Sequence, residues 1–344
     1  MPYPFKLDLA RGRVLQIELD EAAIRAASFL DERILTPATK GGWTPLQAYL
    51  AQRPASLQPP LPVHFIFHTG HVGSTLVSRL IDEATPVLSL REPLPLRALA
   101  EVQDVLDAAP LEGAVPALTR EQFSELLTAL LWSWRRGFQT TAAVIIKATS
   151  SVARLAPVLL DAAPESRAIY LNLRAESWLA TLLAGENSPI DLRGHAPERL
   201  RRLARQRRLP PLVPEALSPG ELAALSWLAE TTTQQEVLSK YQERVLAVDF
   251  DAFLTDARSH LTRILEHFGL PVEPAAVVRA LSGPVMTRYS KAPEHPYDPD
   301  LRAAVVEDSR RRNRGEIVKG LRLLERLLAA GQDPQVVDHI RIRF

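Results

Sequence analysis

Five short apolar runs recur after residue 62, at 63–67, 86–90, 142–146, 168–173 and 244–250. Each is the near-continuous hydrophobic stretch that a strand buried on both faces requires. Between and after them the apolar positions follow a helical period. Helices are predicted from Ser74 onward, over about 95–109 and 119–137, and at 152–163, 176–185, 219–243, 251–267, 274–281 and 301–330. Phe123, Leu126, Leu127, Leu130, Leu131 and Trp134 mark one core-facing stripe. Strand and helix alternating five times predict an α/β fold: a doubly wound parallel sheet of about five strands, with helical insertions near 95–137 and 195–240. Residues 1–60 read as a preface with a strand at 13–19, a helix at 21–30 and a proline-bearing connector at 54–62. The main domain is expected to span 61–344.

The first of the five runs leads into Thr69-Gly70-His71-Val72-Gly73-Ser74-Thr75. Glycines there let the backbone approach an anion closely, and the first helical amides have no intrahelical partner. The helix dipole adds favourable potential for negative charge. A phosphate is expected on Gly70, His71, Val72, Gly73, Ser74 and Thr75. The Walker A pattern requires lysine directly after its last glycine; here Ser74 follows Gly73, which counts against an ATP- or GTP-hydrolysing engine. Later strands end in further chemistry: Arg91-Glu92, Lys147-Ala148-Thr149 and Arg174 sit where parallel strands deliver residues to a site. The long irregular segment 283–299 carries Arg288-Tyr289-Ser290-Lys291.

Composition narrows the class. A formal charge of +1 over 344 residues gives no global pull toward nucleic acid or membrane. The absence of cysteine excludes disulfides, thiolate zinc sites and a cysteine nucleophile. The N-terminus lacks the apolar core of a signal peptide, and no run reaches the roughly 18 apolar residues of a membrane span. A cytoplasmic protein is expected, with no nucleic-acid or membrane partner. Arginines 199, 201, 202, 205, 207 and 208 crowd one stretch, read either as a solvated helical face or as a basic lid over the ligand. His64, His68 and His71 have no carboxylate or cysteine near them in sequence, so no metal site is expected.

Taken in order, these motifs resemble the sulfotransferase family, in particular its bacterial and tyrosylprotein branches. The glycine-Ser-Thr-Leu loop resembles the family's 5′-phosphosulfate loop. Lys147-Ala148-Thr149, followed by a helix and Ala163-Pro164-Glu165-Ser166-Arg167-Ala168-Ile169-Tyr170-Leu171 into Arg174, resembles its Lys-Thr-Pro to Arg-Asp-Pro stretch. The 245–254 segment, followed by His267-Phe268-Gly269-Leu270-Pro271, resembles its Tyr-Glu-Asp-Leu block. The resemblance covers roughly 62–300 and implies a P-loop NTPase-like fold. It further implies transfer of a sulfuryl group from 3′-phosphoadenosine 5′-phosphosulfate to a hydroxyl or amine of a small-molecule, carbohydrate or peptide acceptor, without a metal. Glu92 then matches the general base, and Lys147 and Ser290 the donors near the sulfuryl group. Arg174 matches the 3′-phosphate ligand, with Lys291 beside the nucleotide. Three positions depart from the pattern. His71 stands where the family carries Lys or Arg, Ala175-Glu176 follow Arg174 in place of Asp-Pro, and Leu182 replaces a serine that Thr181 or Ser177 would substitute. A kinase-like transferase on the same fold, or a non-catalytic nucleotide-binding or interaction protein, are the competing readings.

Overall fold

The apolar runs divide their side chains between two layers, and that division shapes the molecule. In the computed structural model, which describes residues 2–52, 60–113, 115–185, 188–207, 209–292, 294 and 296–331, eight strands form two sheets. β1 (Pro2–Asp8), β2 (Arg13–Glu18) and β3 (Gly41–Pro45) make a small antiparallel sheet. β4 (Val63–His68), β5 (Val87–Arg91), β6 (Ala143–Lys147), β7 (Ala168–Asn172) and β8 (Val245–Asp249) make a five-stranded parallel sheet in the order β5-β6-β4-β7-β8. This is the doubly wound α/β architecture expected from the pattern.

Along β4, Ile66 faces one core, while Phe65 and Phe67 face the other. Along β7, Ile169 and Leu171 are set against Ala168 and Tyr170 in the same way. Both faces of the sheet are covered, so the runs read as near-continuous rather than as a strict alternation. The chain leaves β4 for β5 and β6 on one side, then crosses to β7 and β8 on the other. The order therefore reverses about β4, and the carboxyl ends of β4, β6 and β7 flank the crevice that such a reversal opens.

The preface does not stand apart from this core. Tyr3 and Phe5 of β1 are completely buried in the layer that holds Leu126, Leu130 and Trp134. β1 and β3 escape a reading of the pattern for different reasons. β1 is an edge strand carrying Pro2 and Pro4, and β3 has the exposed sequence Gly-Gly-Trp-Thr-Pro with no apolar run. The predicted helix at 21–30 stops at Ala26. The 54–59 part of the connector lies outside the described residues.

Local chemistry divides three other predicted helices. Pro157, with no N–H to give, resets the 152–163 segment into a 3₁₀ turn (Ser150–Leu155) and a helix (Ala156–Ala162). Asp256 ends one helix (Phe250–Thr255) and caps the next (Ala257–Phe268) through Ser259 N. The closing helix breaks into Pro299–Arg312 and Arg314–Gly331 at Asn313, whose side chain donates to Leu183 O at 3.0 Å.

The arginine-rich stretch lies on the helix Ser188–Gln206, and for two of its members both expectations are corrected. Arg199 and Arg202 are neither solvated nor a lid. They turn inward to Glu230 Oε1 at 3.3 and 3.0 Å, and Arg202 also reaches Glu198 at 2.9 Å. They stitch this helix to its neighbour Pro219–Lys240, where a buried charge needs both an opposite charge and hydrogen bonds. Arg201 and Arg205 are exposed, and Arg208 lies outside the described residues. Among the described residues no helix is long and apolar enough to cross a membrane.

Candidate functional site

β4 ends at His68, and the chain then takes a left-handed course: φ is +94° at Gly70, +56° at His71 and +66° at Gly73. Gly73 is the N-cap of the helix Ser74–Ala84 and has no side chain to cap it. Val77 N is the first amide paired back into the turn, with Gly73 O at 3.0 Å. The amides of Ser74, Thr75 and Leu76 are thus the unpaired donors that a helix start offers. The hydroxyl of Thr75 is enclosed and has no hydrogen-bond partner, at a residue only 2% exposed. A buried hydroxyl left unpaired is costly, and this one belongs to a residue at a cavity wall, where a ligand atom could pair with it.

The neighbouring strand ends converge on the same space. Glu92, just past β5, has φ of +60° and gives its amide to Lys147 O at 2.7 Å. Among the described residues, His71 and Glu92 are the two non-glycine positions with positive φ, and both line one cavity. Strained backbone of this kind gathers at functional sites. Lys147 ends β6 completely buried, with Nζ 2.5 Å from Glu92 Oε1 and 5.7 Å from the centre of the Phe29 ring. Burial pulls the lysine's pKa down, and the Glu92 carboxylate opposes that. The second carboxylate oxygen of Glu92 lies 3.4 Å from Arg97.

The cavity measures about 520 Å³. His71, Val72, Gly73, Ser74 and Thr75 line it from the loop, Glu92 and Lys147 from the strand ends, Thr181 from the helix Ala175–Leu183, and Ser290 and Lys291 from the segment 283–299. Two expected residues do not line it. Gly70 lies behind the loop, its carbonyl taking the Trp178 indole N–H at 2.8 Å. Arg174 follows β7 with its side chain 80% exposed and pairs loosely with Asp249, at 4.0 Å. Thr181 spends its hydroxyl on Ser177 O at 2.7 Å. Ser290 is held by its carbonyl, which accepts from Arg79 Nε at 3.1 Å and from Ser28 Oγ at 3.2 Å. The preface therefore reaches the site through Ser28 and Phe29.

The sequence reading passed over several lining residues. Phe250 directly follows β8, so the strand-end logic that picked Glu92 and Lys147 applies equally to it. Tyr289 and Tyr297 stand eight positions apart and gave no local signal. They meet at a ring distance of 6.1 Å because Arg288 and Pro296 pair as an antiparallel bridge. Arg302 lies 5.2 Å over the Phe250 ring and pairs with Asp251 at 3.0 Å.

His71 and His64 do different things. His71 opens onto the cavity and its side chain is exposed; partial desolvation by the surrounding protein, then the charge of Lys291, pull its pKa below the usual histidine range. At neutral pH it is a hydrogen-bond donor without a charge. His64 is buried in β4, accepting from Arg167 N at 3.2 Å, and its pKa is lowered to about 4, by burial first and then by Arg167. Its unfolded counterpart titrates near 6.5, so between these values the unfolded chain binds the extra proton and stability is lost as pH falls. For His64 the full loss is roughly 3 kcal/mol, complete below about pH 4. Urea denaturation at about pH 7 and about pH 4.5 should show a lower midpoint in acid, with a shallower dependence in His64→Gln. An equal dependence in wild type and variant would remove His64 from the account.

No protein-family model and no curated protein sequence matches this chain. Among solved structures it is similar to the sulfotransferase domain from the curacin biosynthetic pathway, at 14% identity over 73% of this chain and 90% of that one, with a TM-score of 0.39. It is similar to the sulfotransferase STF9 from Mycobacterium avium, at 15% identity over 77% and 80% of the two chains, TM-score 0.40. Mouse sulfotransferase SULT7A1, complexed with PAP, is similar at 10% identity over 76% and 85%, TM-score 0.37.

Proposed function

We propose that this protein transfers a sulfuryl group from 3′-phosphoadenosine 5′-phosphosulfate to a hydroxyl or amine acceptor. The observation that carries the reading is that an uncapped glycine loop, with the unpartnered Thr75 hydroxyl, shares one cavity with the buried Lys147–Glu92 pair. The motif order described above points the same way. In the transfer, a bond forms between sulfur and the acceptor atom while the bond from sulfur to the bridging oxygen breaks. The acceptor proton goes to Glu92, and negative charge grows on the departing oxygen. Lys147, itself completely buried, supplies positive charge there, where the low local dielectric makes that charge count. The loop amides, Ser74 and Thr75 hold the 5′-phosphate. His71, neutral at pH 7, donates a hydrogen bond in place of the cation that the family's loop carries. Ser290 and Lys291 close the opposite wall, and Thr181 lies beside the nucleotide. Arg174 is assigned to the 3′-phosphate from its match to the family's arginine, since a guanidinium can grip two phosphate oxygens together.

Titration calorimetry with adenosine 3′,5′-bisphosphate, beside ATP with magnesium, tests the donor assignment. Wild type is expected to bind the bisphosphate tightly and ATP weakly, and Arg174→Ala to lose about tenfold or more in bisphosphate affinity, the scale of a charge-assisted contact. Absence of bisphosphate binding would sink the sulfotransferase reading. Tighter magnesium-dependent ATP binding would favour a kinase-like transferase instead.

A further inference from the structure

His68 takes no part in the chemistry just described, yet its side chain joins the phosphate loop to the strand end carrying Lys147. We infer that His68 is a positioning residue that fixes the loop relative to Lys147, an inference that rests on the proposed role of both.

His68 is the last residue of β4 and is 5% exposed. Its Nδ1 accepts the Gly70 amide at 3.1 Å, and its Nε2 lies 2.9 Å from Ala148 O. An amide can only donate and a carbonyl can only accept. The two partners therefore select one neutral tautomer, with the proton on Nε2. Burial, then the charges of Lys147 and Lys291, hold the ring well below the usual histidine range, so Nδ1 stays an acceptor.

The two bonds lie where the main chain stops doing this work. The ladder between β4 and β6 closes with Ala148 N on Ile66 O at 3.0 Å. Beyond that point the loop leaves the sheet on this side, and the imidazole is the crosspiece. On the other side Thr69 N still reaches Leu171 O at 3.1 Å. Trp178 holds the Gly70 carbonyl, so Gly70 is held at its amide by His68 and at its carbonyl by Trp178. That clamp sets the +94° turn from which His71 and the uncapped amides follow. Ala148 is the residue directly after Lys147, so the same imidazole references the loop to the ammonium. His68 also lines the cavity, but both its ring nitrogens are spent on Gly70 N and Ala148 O, so its loss should act by loosening the loop, and small displacements of catalytic groups cost rate steeply.

Three measurements test this, the first needing no variant. Nitrogen-15 NMR of wild type should show His68 with Nε2 protonated and Nδ1 bare from about pH 5 to about pH 8. A protonated Nδ1 would overturn the proposal. Second, Gly70 amide exchange should quicken by about tenfold or more in His68→Leu, the scale of a buried donor losing its acceptor, and recover in His68→Asn, whose side-chain oxygen replaces Nδ1. Unchanged exchange in His68→Leu would also overturn it. Third, bisphosphate affinity should fall by about tenfold in His68→Leu and by less than about threefold in His68→Asn. A filler of space alone would show no rescue by asparagine, because leucine matches the ring better in volume. If wild type binds no bisphosphate, the donor reading fails while the NMR and exchange measurements still decide the clamp. Should His68→Leu not fold, the wild-type tautomer and His68→Asn carry the test.

Discussion

Lys147→Met is expected to lower kcat by about 10²–10³-fold while changing bisphosphate affinity by less than about tenfold, because the ammonium acts on charge that develops only during transfer. Methionine fills most of the space of the lysine stem, so packing at the end of β6 is retained. The difficulty lies with Glu92, whose side chain is 11% exposed and which would keep only Arg97 at 3.4 Å. Removing one member of a buried pair commonly costs about 3–5 kcal/mol, and less here because Arg97 and some water remain. Stability and turnover must therefore be separated. In the double variant Lys147→Met with Glu92→Gln, no unpaired charge is left, so stability should return toward wild type while turnover stays low. Glu92→Gln alone should also depress turnover through the lost base, by about 10²-fold. The reading of the pair as catalytic fails if kcat is unmoved in single-turnover assays of a variant shown to be folded. A pH dependence goes with it: burial lowers the Lys147 pKa, so the ammonium, and with it turnover, should be lost at a lower pH than for a free lysine.

Gly73→Ala should be the most damaging single-methyl change in the loop. Gly73 has φ of +66°, and a Cβ built there would lie 1.9 Å from the Phe250 ring. The ring cannot easily withdraw, being stacked on Phe253 at 6.1 Å and covered by Arg302 at 5.2 Å. The left-handed backbone costs a side chain about 1–2 kcal/mol and overpacking a further 1–3 kcal/mol. A loss of about 2–5 kcal/mol in urea denaturation is expected, together with weakened bisphosphate binding. Gly12 provides the control. Its φ is +58°, but nothing lies within 4 Å of its Cβ position, so Gly12→Ala should cost only the backbone part. Adding Phe250→Leu to Gly73→Ala should recover the clash but not the backbone part, giving a coupling that two independent sites would not show. Equal costs at Gly12 and Gly73 would mean that Phe250 does not constrain the loop.

Much of the site was legible because a parallel sheet delivers chemistry at strand ends. Glu92 and Lys147 were found within two residues of the end of an apolar run, and the loop by its glycines and hydroxyl pair. Arg174 was found in the same way, but the structure leaves it at the rim of the sheet rather than in the cavity lining. His68 stood in plain view and was considered only as a metal ligand, because its two partners, Gly70 N and Ala148 O, are backbone groups that carry no residue signature. The arginine cluster misled for the opposite reason. Its residue type is plain in the sequence, but whether Arg199 and Arg202 point outward depends on Glu230, 28 positions beyond Arg202.

The sequence alone determined the order and type of the buried elements, since each parallel strand must bury both its faces and each helix one stripe, and these demands are local and periodic. It also determined the loop, where glycine is required by the backbone itself. Only the tertiary structure decided what meets what. Strand order placed β6 and β7 beside β4; Ser28 and Phe29 of the preface came to Ser290 and Lys147; and two tyrosines eight residues apart became one wall. Those contacts depend on packing between distant segments, whose free energy is shared over many weak interactions and leaves no periodic trace in the chain.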